Sequence, residues 1–157
     1  MIAQCMDMNH VRAFMTLPEI SRYSAEYKAD LEAEEFVTNK RLCWLSYTLD
    51  NEIIGMTKFY LVTGSMGMFH PYILRKYKTK YNEMVQLFFK WVVDNIPEQI
   101  CKLNVAIAEN SKGAIKAAEV AGMKHEGVDR MSYLSENGPI DRILLGITRQ
   151  EITLCQQ

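Results

Sequence analysis

Four groups of side chains in this sequence carry chemistry. His70, in the run SMGMFHPYIL, has an ordinary pKa near neutrality, which suits a base; a strand histidine satisfied by one hydrogen bond is the plain alternative. Tyr133 is a phenolic proton donor or an ordinary half-buried strand tyrosine. Asp141, at the start of the last apolar run, orients an amine or closes a turn, and His125, just after Gly122, reads as exposed. The stretch RKYKTKYNEM, residues 75 to 84, places Arg75, Lys76, Lys78 and Lys80 where a strand-like pattern gives way to a helical one. Positive charge at a helix start suits an anion, although such a run is also an ordinary solvated face. The stretch contains no glycine.

The rest of the chain must hold these groups in place. With 157 residues and 48% hydrophobic content, one domain spanning 1–157 with a sizeable core is expected. Lys plus Arg number 18 against 19 Asp plus Glu, a net charge of -1, so no global field draws the protein to nucleic acid or an anionic membrane. An anion site must be local. Cys5, Cys43, Cys101 and Cys155 stand far apart without metal-ligand spacing, so no metal is expected and the reading is a reduced, cytoplasmic protein. No secretory pattern opens MIAQCMDMNH, and no apolar run reaches a membrane-spanning length.

The first ~35 residues read as helical: NHVRAFM, a second helix with Pro18 in its first turn, and the Glu- and Ala-rich AEYKADLEAEEF. LCWLSYTL and EIIGMTKFYLV form a hairpin about Asp50-Asn51, and Thr63-Gly64-Ser65 turns into a third strand. Met84, Leu87, Phe88 and Trp91 mark a helix ended by Asn95 and Pro97. KLNVAIA is a short strand, Asn110-Ser111 caps the helix GAIKAAEVA, and Gly122 ends it before two strands about SENGP. A strand–helix–strand unit added to antiparallel hairpins predicts an α/β (α+β) fold: a mixed, mostly antiparallel central sheet with two N-terminal helices and two crossover helices.

The runs NEIIGMTKFYLV, HPYILRKYKTKY and ENSKGAIKAAEVAGMKHEGVDR, with the later Gly-Pro-Ile-Asp turn, resemble the GCN5-related N-acetyltransferase superfamily from about Leu42 to Glu151. Within it, the branch that acetylates protein N-termini, including ribosomal proteins, is the most similar. The resemblance implies acetyl-CoA as cofactor, an amine acceptor as partner, and Asn110 beside the pantetheine arm. It also implies a phosphate-binding loop at Lys78, Thr79, Lys80, Tyr81, Asn82 and Glu83. The family's loop glycines, which let backbone N–H groups approach a pyrophosphate, are replaced by Tyr81 and Glu83. Tyr81 adds bulk where phosphates would lie, and Glu83 adds a repelling carboxylate. A tyrosine acid common in the family's helix corresponds here to Ala118. That leaves His70 as base and Tyr133 as proton donor.

His70 through Tyr77, H-x-x-I-L-x-x-Y, with the glycine-poor junction, also resembles a degenerate group of acetyltransferase-like proteins from short-tailed bacteriophages, described as head-assembly or internal virion proteins. One expectation is therefore an acetyl-CoA-dependent N-acetyltransferase acting on a protein N-terminus or small amine. The other is an inactive protein of the same fold, partnered with phage virion or assembly proteins, in host cytoplasm or virion. An interaction module, such as an inhibitor of a host system, is a third. An open gap between strands 66–74 and 103–108 favours the enzyme, and Tyr81 or Phe69 filling that gap favours the structural role.

Overall fold

The computed structural model describes residues 1–24, 26 and 34–155. β2 (Leu42–Leu49) and β3 (Glu52–Leu61) form the expected hairpin. Its connecting residues, Asp50 and Asn51, have φ of 49° and 65°. Positive φ at both central positions matches the right-handed twist of the flanking strands, and Asp and Asn bear that conformation at least cost among residues with a side chain. After the Thr63–Ser65 turn, where Thr63 Oγ1 accepts the N–H groups of Ser65 and Met66, β4 (Met66–Ile73) pairs antiparallel with β3.

α3 (Tyr81–Asn95) crosses to β5 (Lys102–Ala108), which lies parallel to β4. α4 (Lys112–Val120), closed by Gly122 at φ 95°, leads to the antiparallel pair β6 (Lys124–Ser135) and β7 (Gly138–Thr148). β7 lies between β5 and β6, and with β1 (Ile2–Cys5) at the far edge the sheet order is β1-β2-β3-β4-β5-β7-β6. This is the mixed, mostly antiparallel α+β architecture expected from the sequence.

Two apolar layers fix the helices to opposite faces. Under α3 and α4, Phe69, Phe88, Leu103 and Leu145 are at most 2% exposed, and the rings of Phe69 and Phe88 are 4.7 Å apart. Each such side chain contributes roughly 1.5–3 kcal/mol on burial. On the other face, α1 (Met8–Met15) and α2 (Pro18–Ser24) pack Val11, Phe14 and Ile20 against Trp44 and Met56.

The ends depart from expectation. IAQC, expected within a helical segment, is β1, paired with β2 from Ile2–Tyr47 to Cys5–Trp44. Four residues are too few to display a period, and Asp7, whose carboxylate accepts the Asn9 N–H at 2.9 Å, starts α1 only afterwards. The expected helix over AEYKADLEAEEF lies largely outside the described residues. α5 (Arg149–Cys155) was not anticipated. It is anchored by tertiary contact: the Arg149 guanidinium donates to the carbonyls of Val93 at 2.7 Å and Ile96 at 3.1 Å, capping the end of α3. The basic junction, expected as a loop, is a 3₁₀ helix, Arg75–Lys80.

Candidate active site

β4 and β5 are paired only at their starts, through Met66–Lys102, Gly67–Leu103 and Met68–Asn104. Beyond that, β4 stays with β3 as far as Ile73–Gly55, and β5 stays with β7 as far as Ala108–Arg142. Each strand is held by its outer neighbour, so the two part. Val62 N–H donates to the Met66 carbonyl and Leu74 N–H to the Ile54 carbonyl, both at 2.9 Å. By the two-residue alternation of an antiparallel ladder, Met68, His70 and Tyr72 turn their backbone groups to β3, while Phe69, Pro71 and Ile73 turn theirs to the gap. On β5, the Arg149-to-Cys101 and Glu109-to-Asp141 bonds put the odd-numbered residues toward β7, leaving Ala106 and Ala108 facing the gap. Pro71 costs no ladder bond because its missing N–H belongs to an unpaired edge.

A cavity of about 850 Å³ passes through this gap. On the α1/α2 side its wall carries Tyr60, His70, Tyr72 and Tyr133, with the carboxylates of Glu19, Glu26 and Glu34. On the α3/α4 side it is lined by Tyr81, Ser111 and Ala114. Phe69 packs into the core beneath it, and Tyr81 is half-buried against the same core, so neither closes the gap.

The Tyr60 hydroxyl lies 3.4 Å from His70 Nε2, and the two rings stack with centroids 5.8 Å apart. Burial pushes His70 down to about 4, with the charges of Lys58 and Arg142 acting in the same direction. The imidazole is therefore neutral at physiological pH: it can accept or donate a hydrogen bond, but it is a weak base. Burial raises Tyr60, Tyr72 and Tyr133, and for Tyr133 the Glu26 carboxylate adds to the rise; all three keep their protons. Tyr81 is pushed up to about 12 by burial.

Tyr133 reaches the cavity through an irregularity. The β6–β7 register shifts between Asp129 and Tyr133, where Met131 has φ 51° and donates its N–H to Asp141 Oδ1 at 2.8 Å. Asp141 thus braces the bulge next to Tyr133. His125 is exposed and lies 2.8 Å from Glu119. Ala118 is buried in the core, and Asn110 is exposed and is not part of the cavity wall. Its neighbour Ser111 lines the cavity instead, at the start of α4.

At the junction, Tyr81 N–H donates to the Lys78 carbonyl, so the 3₁₀ helix consumes a donor that a phosphate cradle would need. Lys80 pairs with Glu83 at 2.8 Å and Lys76 with Glu52 at 2.7 Å; among the described residues Lys78 makes no ion pair. Glu83, expected to repel an anion, neutralises Lys80. Tyr81, expected to obstruct the phosphates, is turned inward. Asn82 is exposed at the helix start. The residues present thus fit the slender arm of a coenzyme A thioester through the open strand edges. They fit its diphosphate through exposed lysine charge, with the backbone contribution reduced.

No protein-family model matches the sequence, and no curated protein is similar to it in sequence. Solved structures are similar over most or all of the chain. Spermidine N-acetyltransferase from Vibrio cholerae, in complex with CoA and spermine, aligns over 98% of this chain and 97% of its own with a TM-score of 0.81 at 11% identity. The chain has the fold of the GCN5-related N-acetyltransferases. Within that fold it is also similar to an aminoglycoside acetyltransferase in complex with coenzyme A and kanamycin, covering 100% of both chains with a TM-score of 0.76 at 13% identity. The ribosomal-protein-S18-alanine N-acetyltransferase from Escherichia coli aligns over 94% of this chain and 92% of its own, with a TM-score of 0.71 at 13% identity. The bacteriophage resemblance finds no support among these structures.

Of the residues singled out by type in the sequence, His70, Tyr133 and Tyr81 line one cavity. Tyr60, Tyr72, Ser111 and the three glutamates line it too, but they come from separate parts of the chain and form no motif. Pro71 was the available signal: a proline inside a strand run announces an edge without a ladder partner.

Proposed function

We propose that the protein transfers an acetyl group from acetyl-CoA to a primary amine. The observation that carries this reading is the cavity crossing the sheet at the β4–β5 gap, which joins a wall of tyrosines and carboxylates to the α3/α4 side. Similar folds in complex with CoA together with spermine or kanamycin support it.

When bound, acetyl-CoA supplies an activated acyl carbon and a thiolate leaving group. Lys78, and Lys80 on exchange from Glu83, would hold its diphosphate by charge, beside Tyr81 and Asn82. Its arm would lie along the open edges of β4 and β5, past Ser111; Asn110 does not line the cavity. The amine enters as an ammonium ion, attracted by Glu19, Glu26 and Glu34, and loses one proton through these carboxylates to solvent. Neutral His70 accepts a hydrogen bond from the free amine and orients its lone pair. The nitrogen–carbon bond forms as the carbon–sulfur bond breaks, and Tyr133 relays to the departing sulfur the second proton that the nitrogen sheds. The balance is one amide, one thiol and one proton released.

The test is thiol release from acetyl-CoA in the presence of spermidine, kanamycin or a peptide with a free alanine N-terminus. Amine-dependent release, reduced in a His70→Ala variant, is expected. A protein that binds acetyl-CoA yet releases no thiol with any of these amines would overturn the assignment.

A further inference from the structure

Pro71 has a consequence for how an acyl group is held, given the acetyl-transfer reading on which this inference rests. In a parallel ladder, the pair Met68–Asn104 is closed by the flanking residues Gly67 and Phe69, because Met68 turns its own backbone groups to β3. Phe69 N–H is therefore the last β4 donor spent on β5. Next along the gap, β4 presents the carbonyls of Phe69 and Pro71, and Pro71 has no N–H to offer. The following β4 donor belongs to Ile73, roughly 7 Å beyond the position of Pro71.

The opposite rim differs. Continuing the Met68–Asn104 register by two residues puts Ala106 level with His70. Ala106 turns its N–H to the gap, lines the cavity and lies before Ala108, whose carbonyl is already taken by the Ser111 N–H at 2.9 Å. At the height of His70, then, one rim of the gap is acceptor-only and the other carries a donor.

We infer that the backbone N–H of Ala106, on β5, holds the oxygen of the acyl carbonyl, because the β4 rim presents no donor at this height. A donor aimed at the oxygen where negative charge develops polarises the carbonyl and stabilises the transition state. The acyl carbon is thereby presented beside His70, toward the face from which the amine arrives.

The experiment is isotope-edited infrared spectroscopy of acetyl-CoA labelled with carbon-13 at the thioester carbonyl, bound without acceptor, combined with steady-state kinetics. The variants are Ala106→Pro and Ala106→lactic acid (a backbone ester made by ligation, which removes the N–H without a ring). The expected result is a lowered carbonyl stretch in the unmodified protein. It is lost in the Ala106→lactic acid variant while coenzyme binding persists, with kcat down about 100-fold. If Ala106→Pro does not fold, the backbone ester decides alone. A backbone-ester variant that binds acetyl-CoA with unchanged stretch and kcat overturns the Ala106 assignment and leaves the acetyl-transfer reading standing. Failure of the unmodified protein to bind acetyl-CoA overturns both.

Discussion

Met68 and Asn104 form the last rung between β4 and β5, and beyond them each strand keeps only its outer partner. That one termination opens a cavity through the middle of an otherwise continuous sheet. It also explains how a proline fits an interior strand, and why side chains from both sheet faces line one space.

The neutral His70 gives stability a pH signature. Its folded value, about 4, lies below the ordinary 6.5, so between these values the unfolded chain binds a proton that the folded chain does not. The contribution is full above about 6.5, shrinks as pH falls, and is gone below about 4; roughly 3 kcal/mol is its upper bound. Urea midpoints of the unmodified protein should fall more steeply across this window than those of His70→Asn. A ring titration by NMR with a midpoint above 6 would contradict the burial argument.

The Lys80–Glu83 pair, 2.8 Å apart, competes with any phosphate for Lys80. Glu83→Gln should tighten acetyl-CoA binding about twofold to fivefold, the scale of an exposed ion pair. Lys78→Ala should weaken it by a similar factor, more strongly at low salt than at high. Calorimetric titrations at two ionic strengths measure both. Equal affinities for all three proteins would place the phosphates elsewhere.

Asp141 should act through Met131 on Tyr133. Removing the carboxylate that accepts the Met131 N–H at 2.8 Å should cost about 1 kcal/mol in Asp141→Ala, with kcat reduced and KM nearly unchanged. Asp141→Asn, which keeps an acceptor oxygen, should recover most of both. If Asp141→Ala raises KM alone, the residue contacts the acceptor and its bracing role is secondary.

Gly67 lies just before the last rung, and a Cβ there would meet Phe59 ring carbons at 2.4 and 2.9 Å. Phe59 is 2% exposed and has little room to yield. Gly67→Ala should destabilise the protein by about 1–3 kcal/mol in denaturant unfolding. Gly64→Ala, whose Cβ meets nothing within 4 Å, is the matched control.

Local chemistry made much of the architecture legible. Asp50-Asn51 specified a hairpin, Gly122 a helix end, and the spacing of Met84, Phe88 and Trp91 a helix, because each signal acts within a few residues. β1 and α5 were not legible, since one is four residues of edge strand and the other depends on Arg149 reaching the end of α3. The same contrast holds at the site. His70 and Tyr133 stand out by type, whereas Glu19 meets the cavity through tertiary packing, its carboxylate accepting the Arg75 N–H at 2.8 Å, 56 positions away. The basic junction misled in a specific way: its lysine charge was plain, but the 3₁₀ winding that consumes the Tyr81 N–H and the inward turn of the Tyr81 ring are tertiary outcomes.

The central claim is that the β4–β5 gap receives the arm of a coenzyme A thioester, and calorimetric titration with acetyl-CoA tests it most directly when paired with an Ala114→Trp variant that fills the α4 side of the cavity. Saturable binding by the unmodified protein, weakened at least about tenfold in the variant, or roughly 1.4 kcal/mol, is the expected result. No saturable heat at millimolar acetyl-CoA, or equal affinity for the two proteins, would contradict it.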